Sequence, residues 1–211
     1  MSRLWLMNLN MYKMVDDCKT RSLKKLEERS KFLSYLLRHK PADAGLTLDK
    51  EGWCELTELL ANTDFTFAEL CEIVQQDSKG RYSFDHNSPQ HANCIRANQG
   101  HSTKLVDIAF NATNPPAVLY HGTSDGAFSG IMKSGAIMSM LRQYVHMTED
   151  LETAKSVGER HKRSGALVVL AIDAKRMLAD GHEFFKSENG VWLTKTVPTE
   201  YLTQIRVTFD E

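Results

Sequence analysis

The sequence predicts an α+β protein built as two lobes, and three observations predict it. Apolar residues recur at helical spacing from Leu23 to about Gln76, in segments separated by turn signals. After Lys79-Gly80 the period changes to the alternation of a hairpin. Beyond Pro115-Pro116 the texture is strand-rich, with only short helical stretches between the strands.

Taken in order, residues 1–22 carry no clear period and read as an N-terminal extension. From Leu23 onward, Leu26, Phe32, Leu33, Leu36 and Leu37 give an amphipathic helix that Pro41 forbids to continue. Lys50-Glu51-Gly52 is a turn, followed by Trp53 and a short helix through Leu56, Leu59 and Leu60. Thr66 with Glu69 three residues on forms a capping box, and Phe65 and Leu70 occupy the staple positions around it. That helix runs to about Gln76. Residues 81–84 form a strand, Asn87-Ser88-Pro89 a turn, and 94–97 the returning strand. Three short helices followed by a hairpin make the pattern of a winged helix, here residues 23–105, a fold often used to hold nucleic acid.

Residues 106–116 read as the linker, and 117–211 as the second lobe. Its first strand, 118–120, leads into His121-Gly122-Thr123 at the strand end. A helix stops at Gly135, residues 144–147 alternate as a strand, and 150–158 are helical with acids in the first turn. A buried strand at 167–172 precedes a short helix closed by Gly181. Asn189-Gly190, between Phe184-Phe185 and Val191-Trp192-Leu193, is a hairpin signal. Several short strands with two or three small helices predict a compact α+β unit and not a doubly wound sheet, and with neither Gly-x-Gly-x-x-Gly nor a Walker loop in the chain a nucleotide would have to be held in another way.

Composition is that of an ordinary globular protein, 42% hydrophobic and 25% charged over 211 residues. Net charge is −1, so contact with nucleic acid must come from a few local arginines and depend only shallowly on salt. No apolar run reaches membrane-spanning length, and the Met- and Leu-rich start is a poor signal peptide. Cys18, Cys54, Cys71 and Cys94 are widely spaced without a Cys-x-x-Cys pair. Buried free thiols in a cytoplasmic monomer are expected, with no disulfide frame, metal site or membrane partner.

The most suggestive stretch is Leu36-Leu37-Arg38-His39-Lys40-Pro41, which places three potential cations on a last helical turn. Alone it is either a capped helix end meeting water or an anion site in which Arg38 grips a phosphate and His39 assists. Arg96, between apolar neighbours on a hairpin strand, reads by itself as an exposed arginine on the solvent face. His121-Gly122-Thr123 offers backbone groups, a hydroxyl and an imidazole suited to a ribose, although His-Gly is common in turns. Arg142 lies four residues before His146, whose commoner fate would be a satisfied core histidine. No Ser-His-Asp order, paired carboxylates or metal-ligand spacing stands out.

Longer strings add a resemblance. The run from Ser30 to Pro41, Glu51-Gly52-Trp53, and the run from Ile95 to Ser102 resemble motifs of the KptA-type RNA 2′-phosphotransferases. So do Leu119 to Thr123, Tyr144-Val145-His146, Val157 to His161, and Glu188 to Thr194, in the same order over roughly residues 28–206. The resemblance implies an RNA-binding winged-helix lobe and an NAD-binding lobe similar to the ADP-ribosyltransferase fold. It places the family's essential set on Arg38, His39, Arg96 and Arg142. His121, with Gly122 and Thr123, and His146 fall on signature positions of the NAD lobe. Val191 stands where protein-modifying relatives carry a glutamate.

The implied reaction consumes NAD and removes an internal RNA 2′-phosphate, typically at a tRNA splice junction. The phosphate attacks the nicotinamide-bearing ribose carbon, and the neighbouring ribose hydroxyl then attacks phosphorus. Products are 2′-OH RNA, ADP-ribose 1″,2″-cyclic phosphate and nicotinamide. The nucleophile is already an anion, so no carboxylate base is needed, and arginines are the expected means of stabilising the phosphoryl charge. The alternative is an ADP-ribosyltransferase acting on nucleic-acid phosphates or on protein, which stops after the first step.

Overall fold

The computed structural model describes residues 3–85, 88–160 and 165–205, with the side chains of 3–19 and of 21 outside the description. It is a mixed α+β chain of two compact units, Met1–Ala97 and Asn98–Glu211. The expected turn at Asn87 and the His161 end of one quoted string lie outside the described residues.

In the first unit, helix α1 (Arg3–Arg38) starts well before Leu23, so the 1–22 stretch continues the helix and is not a separate element. Leu33, Leu36 and Leu37 are fully buried along one face. Pro41 ends the helix, and the N–H groups of His39 and Lys40 both return to the Tyr35 carbonyl, at 2.9 and 3.1 Å. A 3-10 turn (Pro41–Ala44) follows, closed by Gly45 at φ +60°. The Tyr35 hydroxyl donates to Asp43 across that turn.

Strand β1 (Trp53–Glu55) takes up Trp53 ahead of helix α2 (Leu56–Asn62). Helix α3 (Phe67–Gln76) opens as the sequence predicts: the Thr66 hydroxyl accepts the Glu69 N–H at 3.1 Å, and Phe65 and Leu70 are buried. Only half of the capping box forms, however. The Glu69 carboxylate turns to Arg29 of α1, accepting from Nε at 2.7 Å and Nη2 at 3.1 Å. Arg29 also lies 3.9 Å over the Phe65 ring and bonds Asp64 at 2.8 Å, so one arginine fastens α1 to the start of α3. Strands β2 (Tyr82–Asp85) and β3 (Cys94–Ala97) complete an antiparallel sheet in the order β1-β3-β2.

The units divide between Ala97 and Asn98, ahead of the linker that the sequence predicts at 106–116. Val106 and Ile108 are buried, and the Thr113 N–H donates to the Phe184 carbonyl at 2.8 Å. Alternating apolar residues tie this stretch to the second unit, and Pro115-Pro116 interrupts the backbone before the next strand without separating lobes.

The second unit runs through β4 (Val118–Ser124), α4 (Asp125–Ser134), β5 (Ala136–Met138), β6 (Val145–Met147) and α5 (Leu151–Glu159). Then come β7 (Leu167–Asp173), α6 (Ala174–Ala179), β8 (Phe185–Lys186), β9 (Trp192–Thr194), β10 (Thr196–Pro198) and β11 (Leu202–Ile205). Antiparallel sheets β11-β7-β4 and β6-β9-β8 form, with β10 paired to β5. Tyr120 and Thr148 exchange backbone hydrogen bonds of 2.8 and 3.0 Å, stitching β4 to the end of β6. Leu119, Leu170, Ile172, Met177, Phe184 and Trp192 form the core beneath them. Asp150 caps α5, accepting from the Thr153 hydroxyl at 2.6 Å and from its N–H at 2.7 Å, and that bonding holds its carboxyl below the usual range.

Candidate functional site

The residues singled out by the sequence fall into two groups, one in each unit. In the first unit, Arg96 lies on the central strand β3, opposite Trp53 on one side and Ser83 on the other. The sequence alone favours a solvent-facing arginine here, and the structure corrects that. Its side chain is only 12% exposed, and Cζ sits 4.4 Å over the Trp53 ring. A guanidinium covered on its face by an indole presents its edge, where the N–H groups that match a phosphate reside. Glu51, largely exposed, keeps its carboxylate 4.0 Å from Arg96 Nη1.

Arg38 ends α1 half-buried, with Nε and Nη2 withdrawn from water. His39 follows as an exposed residue outside the helix, and α1 packs against β3, the strand that carries Arg96.

In the second unit, His121 lies within β4, which extends to Ser124 and does not end at the His-Gly-Thr triplet. His121 Nδ1 is 2.9 Å from the backbone carbonyl of His146 on β6. A carbonyl can only accept, so Nδ1 carries a proton and donates it. His146 Nε2 in turn meets Gln99 Oε1 at 2.7 Å. The chain Gln99–His146–His121 therefore fixes both imidazoles. Gln99, His101, Phe110, Tyr144, His146 and Leu193 line a narrow crevice there.

Thr123 and Ser124, farther along β4, are buried. Gly122 serves packing: a Cβ placed there would meet the Ala154 carbonyl oxygen at 1.8 Å and the Gly158 nitrogen at 2.8 Å. Its missing side chain lets α5 approach β4, so the glycine faces a helix and not an open cradle. Val191 stands half-buried just before β9, its N–H and carbonyl both bonded to Ser187. Along that strand Leu193 lies opposite His146.

Arg142 occupies the connection between β5 and β6, its N–H donating to the Ser139 carbonyl at 3.0 Å. The residue is exposed at the surface, yet protein crowded around its guanidinium, and then the like charge of Arg160, lower its pKa. It remains a cation at any physiological pH. Among the described residues no cluster of His, Cys, Asp and Glu could hold a metal ion, and no helix is long and apolar enough to cross a membrane.

The family model for RNA 2′-phosphotransferase, Tpt1 / KptA family, matches residues 24–196. The chain belongs to this family. A protein of Rhizobium leguminosarum bv. trifolii named "Probable RNA 2′-phosphotransferase" is 46% identical over 184 residues, covering 85% of this chain and 95% of its own length. Its namesake in Pseudomonas syringae pv. tomato is 44% identical over 187 residues, 86% of this chain and 96% of that protein. One from Escherichia coli is 43% identical over 184 residues, 85% and 96% of the two chains. The family region begins at Lys24, inside α1, so the first turns of that helix precede it.

Membership of the Tpt1 / KptA family makes this chain an RNA 2′-phosphotransferase by kind and RNA its implied substrate class. Sequence reasoning passed over three residues that hold the others. Gln99 sits inside a quoted string but gained no role, and Asp49 and His91 gave no signal because their partners lie far along the chain.

Proposed function

We propose that this chain removes an internal 2′-phosphate from RNA with consumption of NAD, leaving a 2′-OH. The first unit serves as a winged-helix RNA lobe, a reading supported by the order α1-β1-α2-α3-β2-β3 with its antiparallel sheet. The second serves as an NAD lobe of ADP-ribosyltransferase type. The observation that carries the proposal is Arg96 planted over Trp53 within a chain of this family. A guanidinium held in one plane by the ring on its face suits bidentate capture of a phosphate.

Bound NAD would supply the ribose carbon that accepts the 2′-phosphate, so that the RNA passes through an ADP-ribosylated 2′-phosphate before release. Arg38 and Arg96 of the first unit, and Arg142 of the second, are each assigned to stabilising phosphoryl charge as it develops. His39, an exposed imidazole just beyond the helix end, would donate a proton to the departing RNA 2′-oxygen. His121, its ring held by the Nδ1 bond to the His146 carbonyl, would offer its Nε2 edge to a ribose hydroxyl of NAD. His146, held in turn at its Nε2 by Gln99, would serve the same NAD side. Thr123 is buried and Gly122 lies under α5, so these two support the NAD side by placing the strand. Val191 puts an apolar side chain where a base would otherwise stand, which suits a nucleophile that is already ionised. A tRNA splice-junction phosphate is the substrate the resemblance favours, handled by a monomer in the cytoplasm.

The test is to incubate an RNA oligonucleotide bearing one internal 2′-phosphate with the protein and NAD. The expected products are 2′-OH RNA, nicotinamide and ADP-ribose 1″,2″-cyclic phosphate. A stable ADP-ribose conjugate as the end product would assign the chain to simple ADP-ribosyl transfer.

A further inference from the structure

Arg96 depends on more than the residue beneath it. The Trp53 indole that carries its guanidinium is itself stacked by the His91 ring, centroids 5.2 Å apart and planes 22° from parallel. His91 Nε2 meets Asp49 Oδ2 at 2.9 Å. The other Asp49 oxygen accepts the N–H groups of Glu51 and Trp53, each at 2.9 Å, which ties the carboxylate to the turn that opens β1. His91 is anchored in the β2–β3 connection, its N–H donating to Ser88 Oγ at 3.1 Å and its carbonyl accepting from Cys94 at 3.0 Å. The imidazole is 17% exposed. These contacts form a continuous row, Asp49–His91–Trp53–Arg96, all within the first unit.

A stacked arginine has one rotational freedom that matters for phosphate capture, the plane of its guanidinium. An indole able to rock would let that plane tilt, and bidentate geometry tolerates little tilt. We propose that His91, oriented by Asp49, is a positioning residue for Arg96, acting through Trp53 to keep the guanidinium edge aligned for the RNA 2′-phosphate. This rests on the phosphate-holding role assigned to Arg96 above. His91 touches neither RNA nor NAD in this account, and its effect is confined to the step in which phosphoryl charge develops.

The experiment uses the full-length chain, a 2′-phosphorylated RNA oligonucleotide and NAD, with rapid-quench analysis of the RNA. His91→Ala is expected to slow the second step about tenfold, the size of a lost cation–π alignment, and to accumulate RNA carrying ADP-ribose on its 2′-phosphate. The KM for NAD should stay within about twofold, because the other unit holds it. His91→Phe keeps a ring on Trp53 and should recover to within about threefold of wild type; Asp49→Asn should lose a similar about threefold. In an Arg96→Ala background, His91→Ala should add no further loss. The proposal is overturned by a His91→Ala variant with wild-type rates, by losses that add fully in the Arg96→Ala background, or by a lowered melting point with rates per folded molecule unchanged. Should His91→Ala fail to fold, His91→Phe and Asp49→Asn decide by the same readouts. If wild type itself leaves the 2′-phosphate in place, the role of Arg96 falls and this proposal with it. If wild type and Arg96→Ala behave as expected and His91→Ala does not, only the positioning role falls.

Discussion

His121 donates from Nδ1 to the backbone carbonyl of His146, 2.9 Å away, and so the strand carrying one histidine orients the ring of the other. This bond separates structure from binding in a way mutation can read. In His121→Asn the side-chain amide can occupy the place of Nδ1 and keep the bond to His146, but nothing replaces Nε2. That variant should keep its urea midpoint while its KM for NAD rises at least about tenfold, near 1.4 kcal/mol. His121→Ala should show the same KM defect and lose about 1 kcal/mol of stability besides. Nicotinamide release at varied NAD, with urea unfolding in parallel, checks both.

Gly122 makes a prediction about packing and not about ligand. The atoms that an added Cβ would strike, the Ala154 carbonyl group and the Gly158 nitrogen, are all backbone and cannot swing aside. Gly122→Ala should therefore cost about 3 kcal/mol or more, read as a lowered denaturant midpoint. Gly130 in α4 is the contrast, since a Cβ there meets nothing within 4 Å. Gly130→Ala should stabilise by roughly 0.5–1 kcal/mol through helix propensity.

Cys54 is buried on β1, and that burial, reinforced by the nearby Glu58 carboxylate, pushes its thiol up to about 12 from 9.0. The folded state thus holds the Cys54 proton more tightly than the unfolded state does. Its contribution to stability is complete below pH 9 and is lost progressively as the pH rises from about 9 to about 12. Cys54→Ala should flatten the alkaline fall in stability across that window. In the native protein at pH 8, Cys54 should resist an alkylating reagent that labels it fully in urea; mass spectrometry of the labelled peptide settles the point.

Removal of residues 1–22 should leave activity within about twofold of the full chain. Helix α1 does run back to Arg3, but among its described side chains the first fully buried one is Leu33, and the family region starts at Lys24. A folded truncation that fails to turn over RNA would show that the early turns of α1 take part in the site.

Much of the fold was legible because the signals are local. Thr66 as the N-cap of α3, the stop at Gly135, and Asn189-Gly190 between apolar runs each act over a few residues, and each stands where the sequence predicts it. Helix α1 was only partly legible, since its first turns lack an apolar period and Leu23 is the first residue that shows one. The site was legible as strings and not as geometry. Arg96 looked solvent-facing because nothing in its neighbourhood announces Trp53, which β-sheet register alone brings opposite. Gln99 reaches His146 across 47 residues, and Arg29 claims the Glu69 carboxylate across 40. Contacts of that range come from tertiary packing, which no short window of sequence contains.

The most direct test of the central claim follows a single RNA 2′-phosphate in time. With NAD present, wild-type protein should convert 2′-phosphorylated RNA to 2′-OH RNA, passing through a transient ADP-ribose conjugate. Arg96→Ala should form that conjugate and then stall, because loss of one donor to the developing phosphoryl charge costs about 2.7–4 kcal/mol, roughly a hundredfold to a thousandfold in the second step. A 2′-phosphate that persists with wild-type protein at high concentration would contradict the assigned reaction. An Arg96→Ala variant that leaves only unreacted RNA would contradict the assigned role of the arginine.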